Sequence, residues 1–416
     1  MIFAIFEDEY WQNFSQVAYT RPVYRLLTSR GILLEGLLKI AKECELHAYI
    51  RNYLVEVERE RPPELKVNKP IPSDDHVIFV NGLAKNLQLF KLLLEKLDDR
   101  EFILLSGQRI LGAHVRGRRL TDTDNPEALV DRLKSLLGEV EGFEAPDGSL
   151  YRYPWEMLEE EAPPLPVGIK RFDPDTRVAV LGDPANIMVQ DDCEIEPFTV
   201  FDARRGPIRL GRGVRVESGS KIIGPCTIGD DSIVYGGRVG PSLFTGPTCR
   251  ISAEIEYTIM LGFSNKHHYG YIGHTMIGEW VNIAAGTTTS NLKTTYGEVK
   301  VVMGGKVLHT GRQFLGSILG DHVRTMIDTQ LMTGKLVGPF SVLGGVVAKN
   351  IPPFTGINLS REIYELELEA EIRVIERMMK RRNRRPSEAY IELVKRLYEL
   401  TREERSQHIG ARSDYP

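Results

Sequence analysis

A six-residue spacing of apolar residues is the feature that most constrains this chain. Leu210, Val216, Ile222, Ile228 and Val234 recur at every sixth position. Neither an α-helix nor an alternating β-strand repeats at this interval. A hexapeptide repeat is the signature of a parallel β-helix, in which three hexapeptides form one triangular coil and the repeated side chains stack inside. The same period predicts further coils at Val189, Ile195 and Phe201, and at Leu319, Thr325, Leu331, Val337 and Leu343.

The first part of the chain follows a different pattern. Met1–Phe6, Val77–Val80 and Phe102–Leu105 are short apolar runs typical of buried strands. Between them, Arg30–Ala41 and Leu87–Leu97 carry apolar residues at helical spacing. Strands that alternate with helices predict a parallel α/β sheet.

Proline-rich breaks divide the chain into three predicted domains. The stretch EAPPLP at 161–166 separates the α/β domain (1–165) from the β-helix (166–355). After the β-helix the period changes to helical spacing in a C-terminal tail (356–416), first over Ser360–Met379 and again behind Ser387, a predicted N-cap. We interpret the basic run KRRNRR at 380–385 as a solvated linker between these helices, although such a run can also bind nucleic acid or phosphate.

Composition excludes several classes of protein. A net charge of −4 over 416 residues does not indicate a nucleic-acid binder, and 42% hydrophobic residues are enough for a substantial core. The four cysteines are widely spaced, which argues against a zinc site or a disulfide framework, and Cys226 and Cys249 are expected in the core. We find no signal peptide and no apolar run of transmembrane length, so we expect a cytoplasmic protein without a membrane partner.

The segment from Ser264 to Lys300 concentrates the polar residues of the repeat region. It reads SNKHHYGYIGHTMIGEWVNIAAGTTTSNLKTTYGEVK and combines two adjacent histidines with a tyrosine, asparagines and a lysine. Such residues are suited to a base-assisted transfer to a phosphorylated sugar.

This segment resembles one enzyme family, the bifunctional UDP-N-acetylglucosamine pyrophosphorylases / glucosamine-1-phosphate N-acetyltransferases, in a divergent branch. Further similar phrases are Phe6-Glu7-Asp8, Thr20-Arg21-Pro22, Val80-Asn81-Gly82 and QFLGSILG at 313–320 with Asp321-His322. The resemblance covers residues 1 to about 355 and is strongest over 262–322. It implies a nucleotide-diphospho-sugar transferase-like α/β domain, a left-handed parallel β-helix and a homotrimer with acetyltransferase sites in the clefts between subunits.

The resemblance also implies a function with specific roles. The reaction is acetyl-CoA-dependent N-acetylation of glucosamine-1-phosphate or galactosamine-1-phosphate, coupled to nucleotidyl transfer that forms a UDP- or dTDP-sugar. His268, three residues before Tyr271, corresponds to the family's catalytic base, with His267 as its rival, and Asn291 is expected to orient the amine and His268. The implied sugar-phosphate contacts are Tyr271, Asn282 and Lys300, and the implied acetyl-CoA contacts are Ala284, Ala285 and Gly286.

The chemistry of these assignments is physically consistent. An unperturbed histidine titrates near pH 6.5 and can accept the amine proton at neutral pH. The small side chains from Ala284 to Thr287 let the backbone approach the thioester, whose oxyanion needs N–H donors.

The N-terminal domain departs from the family pattern. Residues 1–36 lack the Gly-rich phosphate loop, and Asn81 stands where a metal-binding aspartate is expected. Arg21, Arg25 and Asn81 remain as candidate nucleotide contacts for UTP or dTTP, and Asp8 as a candidate Mg²⁺ ligand. The alternative is a degenerate domain that binds a nucleotide or nothing.

Three other functions remain open at this point. The first is a sugar-1-phosphate nucleotidyltransferase whose β-helix only trimerises or senses a ligand. The second is a β-helical metalloenzyme of the γ-carbonic-anhydrase kind, and the third is a non-catalytic scaffold. The histidine spacing does not fit the second, which needs three histidines from adjacent subunits. The concentrated polar segment argues against the third, because a scaffold needs only the apolar repeat.

Overall fold

The computed structural model describes residues 1–41, 44–85, 87, 90, 100–120, 126–158, 160–166 and 175–409. They divide into two compact units. The first consists of Met1–Leu26 with Gly31–Tyr153, and the second of Leu27–Arg30 with the chain from Pro154 onward. The predicted helix over Leu87–Leu97 lies almost wholly outside the described residues.

The first unit is built on a mixed sheet, and the predicted strands are confirmed. Parallel pairing joins all neighbours except at the strand Arg109–Arg116, which runs antiparallel to both of its neighbours. The parallel α/β sheet that we expected is therefore present, and it contains one reversed strand. In spatial order, the described strands are Lys66–Val67, Glu45–Tyr49, Ile2–Phe6, His76–Asn81, Arg109–Arg116, Phe102–Ser106 and Glu141–Glu144.

Short helices accompany this sheet. The predicted helix within Arg30–Ala41 is present at Leu33–Ile40, with Leu34 and Leu37 buried. Aromatic and aliphatic side chains fill the core of the sheet, among them Phe6, Tyr49 and Phe79. The other described α-helices of this unit are Ser15–Ala18, Val55–Arg59 and Pro126–Ser135.

The second unit contains the predicted parallel β-helix, whose coils follow one another within residues 175–363. Its first face comprises Ala179–Leu181, Val200–Asp202, Ser220–Ile223, Gly237–Val239, Glu254–Glu256, Tyr271–Gly273, Thr288–Thr289, Gln330–Leu331 and Val346–Val347. The second comprises Ile187–Val189, Ile208–Leu210, Cys226–Ile228, Leu243–Thr245, Thr258–Met260, Met276–Ile277, Ser317–Leu319 and Lys335–Val337. The third comprises Glu194–Ile195, Arg215–Val216, Ile233–Val234, Arg250–Ile251, Asn265–Lys266, Arg324–Thr325, Val342–Leu343 and Thr355–Ile357, and bridges at Asn282 join its two parts.

The apolar residues at six-residue intervals fill the interior of the β-helix, as the sequence predicts. Leu210, Val216, Ile222, Ile228 and Val234 are all fully buried in one continuous core. Each apolar side chain stacks on its counterpart in the next coil because parallel pairing keeps equivalent positions in line. The expectation that Cys226 and Cys249 belong to this core is also confirmed.

A ladder of aromatic rings lies along one corner of the β-helix. Equivalent corner positions are occupied by Phe263, Trp280, His322, Phe340 and Phe354, all with positive φ between 55° and 64°. Neighbouring rings stack with centroid distances of 4.4, 6.3, 5.2 and 4.6 Å in that order. The corner conformation therefore repeats from coil to coil and directs successive rings onto one another.

One excursion interrupts the coils. After Thr288–Thr289 the chain leaves the β-helix and forms an antiparallel hairpin of Lys300–Met303 and Lys306–His309. It returns at Ser317–Leu319, which pairs with Met276–Ile277 as the next strand of the second face.

The helical tail begins later than predicted. Residues Ile363–Glu365 form a strand antiparallel to Thr355–Ile357, so the helix predicted over Ser360–Met379 starts only at Leu368. This strand covers the exposed edge of the last coil, which a helix could not pair with. The described tail helices are Leu368–Lys380, Glu388–Leu400 with the predicted Ser387 N-cap, and Arg402–Ser406.

The tail packs on the aromatic corner. The Tyr390 hydroxyl lies 2.9 Å from His322 Nε2. Arg324 forms a buried ion pair with Glu371 at 2.7 Å. In the part of the chain that the structure describes, no helix has the length and apolar character needed to cross a membrane.

The aromatic ladder yields a matched test of stability. We expect Phe340→Ala to lower the free energy of unfolding by about 3 to 5 kcal/mol, because it leaves a cavity between His322 and Phe354. Phe198 provides the control, since it has a similar corner φ of 65° but is 74% exposed. Phe198→Ala should change the free energy by less than about 0.5 kcal/mol. Urea denaturation followed by circular dichroism measures both, and equal effects would contradict the stabilising role of the ladder.

Candidate active site

A cavity of about 490 Å³ opens beside the third face of the β-helix. Among the residues assigned a role from sequence, it brings together His268, Asn282, Ala284 and Ala285. Asn282 and the alanines come from one coil and His268 from the coil before it, because Asn265 and Asn282 occupy paired positions in successive coils. The rest of the lining is formed by Tyr235, Arg250, Asn265, His267, Ile283, Ile327, Arg381 and Arg382.

A stack of three rings forms one wall of this cavity. Tyr235 and His267 lie parallel with their centroids 3.9 Å apart, and His268 stacks on His267 at 4.6 Å. Burial, followed by the nearby His268, lowers the pKa of His267 below its ordinary value. His267 therefore occupies the middle of the stack and His268 its end, and both histidines are exposed.

Lys266 holds the histidine segment from inside the β-helix. It pairs with Ile251 of the preceding coil, at an inward position that apolar side chains fill in most other coils. Its Nζ donates to the backbone carbonyls of His268 at 2.5 Å and Tyr269 at 2.6 Å, and to that of Ala284 at 3.5 Å. Burial lowers the pKa of Lys266 to about 8, so the ammonium is still protonated at pH 7 and can serve all three carbonyls. One buried cation thus ties the loop of His268 to the turn at Ala284.

The turn at Ala284–Gly286 is fixed by the chain itself. Gly286 has φ +72°, and a Cβ there would overlap Asp328 Oδ1. The N–H of Ala284 donates to Thr325 Oγ1 at 2.8 Å, that of Gly286 to the Tyr269 carbonyl at 3.0 Å, and that of Thr287 to the Ala284 carbonyl at 3.4 Å. These three N–H groups are therefore engaged, and the oxyanion donors that we expected from this run are not found among them.

Tyr271 and Asn291 belong to a separate polar cluster. Asn291 Nδ2 lies 2.7 Å from the Tyr271 hydroxyl and 2.9 Å from His274 Nδ1. The Tyr271 hydroxyl in turn donates to Glu256 at 2.9 Å. Burial and then Glu256 raise the pKa of Tyr271, so it remains a phenol. The prediction that Asn291 orients His268 is therefore corrected within one chain, because its amide binds Tyr271 and His274 instead.

Lys300 lies away from the cavity lining. It is exposed at the start of the hairpin strand Lys300–Met303, where it pairs with His309. Neither Lys300 nor Tyr271, Asn291 or Gly286 lines the cavity around His268 within the described chain. The sequence assignments in the β-helix thus fall into three groups, the His268 cavity, the Tyr271 cluster and the hairpin, and Gly286 lies in the turn that follows Ala284 and Ala285.

Several residues that line the cavity or support its walls escaped the sequence analysis. Lys266 replaces an apolar residue in the inward ladder, and this break in the repeat was a usable signal. Arg381 and Arg382 follow the first tail helix, and the Nη2 of Arg382 donates to Asn265 Oδ1 at 2.6 Å across 117 residues of sequence. The basic run that we interpreted as a solvated linker therefore reaches the cavity at these two positions.

In the N-terminal unit, the candidate residues occupy the carboxyl edge of the sheet, where open α/β sheets bind ligands. Asp8 is buried and forms a bidentate ion pair with Arg109 at 2.8 and 3.1 Å. The Asn81 amide donates to Asp8 at 2.9 Å and to the Ile110 carbonyl at 2.9 Å, and its oxygen accepts from the Leu83 N–H. Asp8 and Asn81 therefore form an internal network.

The candidate arginines of this unit are also engaged internally. Arg25 Nε forms an ion pair with the buried Glu58 at 2.7 Å. Arg21 is buried, and its Nη2 donates to Thr20 Oγ1 at 3.2 Å. A second buried pair, Arg51 with Glu7 at 3.0 Å, lies beside them. Phosphate binding here would have to compete with these carboxylates.

The Mg²⁺ prediction does not fit this geometry. Both oxygens of Asp8 face the Arg109 guanidinium, and a cation is not held beside another cation. Across the described residues, no group of three or more His, Cys, Asp or Glu side chains is arranged to hold a metal ion.

Comparison with known proteins supports the resemblance inferred from sequence. Residues 3–166 match the model of the sugar nucleotidyl transferase family. A bifunctional sugar-1-phosphate nucleotidylyltransferase/acetyltransferase of Sulfurisphaera tokodaii is 35% identical over 102 residues, which cover 24% of this chain and 25% of that protein. The bifunctional protein GlmU of Acidithiobacillus ferrooxidans is 27% identical over 216 residues, covering 47% of this chain and 42% of that protein. The chain thus spans less than half the length of these curated relatives.

Solved structures give weaker likenesses. The UDP-N-acetylglucosamine O-acyltransferase (LpxA) of Moraxella catarrhalis is 13% identical with a TM-score of 0.32, covering 56% of this chain and 96% of that one. The corresponding acyltransferase of Francisella novicida is 12% identical with a TM-score of 0.34, covering 58% and 99%. Scores this low carry no argument about function.

The role of Lys266 can be tested directly. We expect Lys266→Met, which keeps the length of the side chain but removes its three N–H donors, to accelerate hydrogen exchange in the segment that contains the Gly286 amide by about tenfold or more, because that amide donates to the Tyr269 carbonyl that Lys266 holds. Exchange mass spectrometry measures this. Lys221→Met on the first face is the control and should leave the segment unchanged, and equal exchange in Lys266→Met and wild type would contradict the proposed tie.

Proposed function

We propose that the β-helix transfers an acetyl group from acetyl-CoA to the amine of an amino-sugar 1-phosphate, glucosamine-1-phosphate or galactosamine-1-phosphate. We further propose that the N-terminal domain transfers a nucleotidyl group from UTP or dTTP to a sugar 1-phosphate. One observation carries the acetyltransferase proposal: His268, Asn282, Ala284 and Ala285, which the family resemblance implies as base, sugar contact and acetyl-CoA contacts, line one cavity. The names of the bifunctional relatives support both activities.

In the proposed reaction, the exposed His268 is the general base. Its imidazole accepts a proton from the substrate amine as the nitrogen attacks the thioester carbonyl carbon. The new C–N bond forms, the C–S bond breaks, and the proton passes to the departing thiolate, which leaves as CoA. General-base assistance of this kind contributes about 10²- to 10⁴-fold in rate.

The stacking order supports His268 over His267 as the base. Both faces of the His267 ring are covered, by Tyr235 and by His268, whereas His268 lies at the end of the stack. Lys266 fixes the His268 backbone and the Ala284 backbone to the same ammonium. This arrangement sets the distance between the base and the turn that would receive the thioester, which is the positional control that a bimolecular transfer requires.

A homotrimer would complete the site. Tyr271, Asn291 and Lys300 do not line the cavity of their own chain, and the resembled family places its acetyltransferase sites between neighbouring subunits. Exposed apolar side chains on the β-helix and its hairpin support such contacts, among them Ile327 at 67% and Val307 at 59% exposure.

The four cysteines are free thiols, which supports a reducing compartment such as the cytoplasm.

The second candidate is a nucleotidyltransferase whose β-helix only trimerises the protein or senses a ligand. The match of residues 3–166 to the sugar nucleotidyl transferase family favours it. It differs from the first proposal in one respect that an assay can resolve, since His268 would then be dispensable for activity.

Thiol release measures the acetyltransferase activity. We expect wild type to release CoA from acetyl-CoA with glucosamine-1-phosphate or galactosamine-1-phosphate, and His268→Ala to lose about 10²- to 10⁴-fold in kcat. His309→Ala is the matched control, because His309 is an exposed histidine on the hairpin that pairs with Glu298.

Two results would oppose this proposal. Absence of release with both sugar phosphates would favour the ligand-sensing alternative. Full activity of His268→Ala would remove His268 as the base, and the same assay with His267→Ala would then test its rival.

Pyrophosphate release measures the nucleotidyl activity. We expect wild type with Mg²⁺ to release pyrophosphate from UTP or dTTP in the presence of a sugar 1-phosphate.

The stability of the N-terminal unit is a separate test. Because Asp8 and Asn81 support Arg109 and the neighbouring backbone, we expect Asn81→Ala to destabilise this unit by about 1 to 3 kcal/mol. Thermal denaturation measures this loss of stability. In the pyrophosphate assay, absence of release from wild type would restrict the function to acetyl transfer.

A further inference from the structure

Three guanidinium groups converge on the His268 cavity from two separate parts of the chain. Arg250 comes from the β-helix strand Arg250–Ile251, and Arg381 and Arg382 follow the first tail helix, Leu368–Lys380. The cavity lining contains no Asp or Glu side chain among the described residues. Three cations therefore surround a space whose walls offer no anion.

None of the three arginines forms an ion pair with a carboxylate within the described chain. Arg250 Nη1 donates to the backbone carbonyls of Asp231 and Cys249, both at 3.0 Å. Arg382 donates to Asn265, and its buried Nε has no hydrogen-bond partner. Glu217, whose charge acts on His267, is itself paired with Arg215 at 2.6 Å.

The cluster is electrostatically costly without an anion. Burial, and then repulsion from Arg250 and Arg381, lowers the pKa of Arg382. The carboxyl end of the first tail helix explains part of the preference for Arg381 and Arg382, because a helix C-terminus favours cations. It does not explain Arg250, which belongs to the β-helix and faces the same cavity.

We propose that Arg250, Arg381 and Arg382 form a phosphate-binding subsite of the His268 cavity, to which the helical tail contributes two of the three cations. This inference rests on the proposed acetyl transfer and names how that site recognises its substrate. Guanidinium groups bind phosphate oxygens in paired, charge-assisted hydrogen bonds. A cavity of about 490 Å³ accommodates a sugar phosphate or one end of a larger phosphorylated molecule.

The phosphate has two possible sources in the proposed reaction, the sugar 1-phosphate and the phosphates of CoA. Titration calorimetry on the full chain distinguishes them with four probes: glucosamine-1-phosphate, glucosamine, CoA and 3′-dephospho-CoA. Loss of glucosamine-1-phosphate affinity alone assigns the subsite to the sugar phosphate. Loss of CoA affinity, with dephospho-CoA already weak in wild type, assigns it to the CoA 3′-phosphate.

The variants use the basic run itself as the control. We expect R381Q/R382Q and R250Q each to weaken one phosphorylated probe by about 10- to 100-fold. R384Q/R385Q removes the same charge from exposed positions of the run that do not line the cavity, and it should change affinity by less than about twofold. Because Arg382 is partly buried and bonds Asn265, R381Q alone serves if the double variant does not fold.

Failure of this inference can be separated from failure of the proposed function. Unchanged affinity in R250Q, R381Q and R381Q/R382Q, or no binding of either phosphorylated probe to wild type, overturns the subsite. A wild type that binds a phosphorylated probe through these arginines but releases no thiol from acetyl-CoA refutes the acetyl transfer and retains the subsite. A wild type that releases thiol while the arginine variants bind normally refutes the subsite alone.

Discussion

In-register stacking of parallel coils is the constraint on which the rest of the second unit depends. Each coil repeats the backbone path of the one before it, so an inward position stays inward and a corner stays a corner. The apolar ladder follows from this constraint, and so do the aromatic ladder and the placement of Asn265 above Asn282. A functional side chain on one coil is therefore positioned by its neighbours in space, which the sequence repeat makes predictable.

The tail helices pack on one corner of these stacked coils. Early coils carry Asp192, Gly213, Asp231 and Thr248 at the corner where later coils carry Phe263, Trp280, His322, Phe340 and Phe354. The change to rings coincides with the coils that the tail helices cover, because buried corner positions gain from apolar contact whereas exposed ones do not. The tail is thus an integral part of the β-helix surface, and its position brings Arg382 within reach of Asn265.

Sequence reasoning succeeded where the signal was periodic. The coils were predictable because Val216, Val234 and their equivalents mark each turn locally, and the strands of the α/β unit because each is a short apolar run such as Ile2–Phe6. It failed where the interaction joins distant residues: Asn291 reaches His274, Asp8 binds Arg109 across 101 residues, and Arg382 reaches Asn265 across 117. The strand at Ile363 was missed for the same reason, since its pairing with Thr355–Ile357 satisfies an edge that only the folded coil creates.

The excursion between Thr289 and Ser317 has an evolutionary consequence. The chain leaves one face of the β-helix and rejoins the next in register, so the coils on either side remain stacked as though nothing intervened. A segment placed this way can be lengthened, shortened or exchanged at little cost to folding. The exposed side chains of the hairpin that carries Lys300 are therefore open to diversification, on a framework that has no need to change with them.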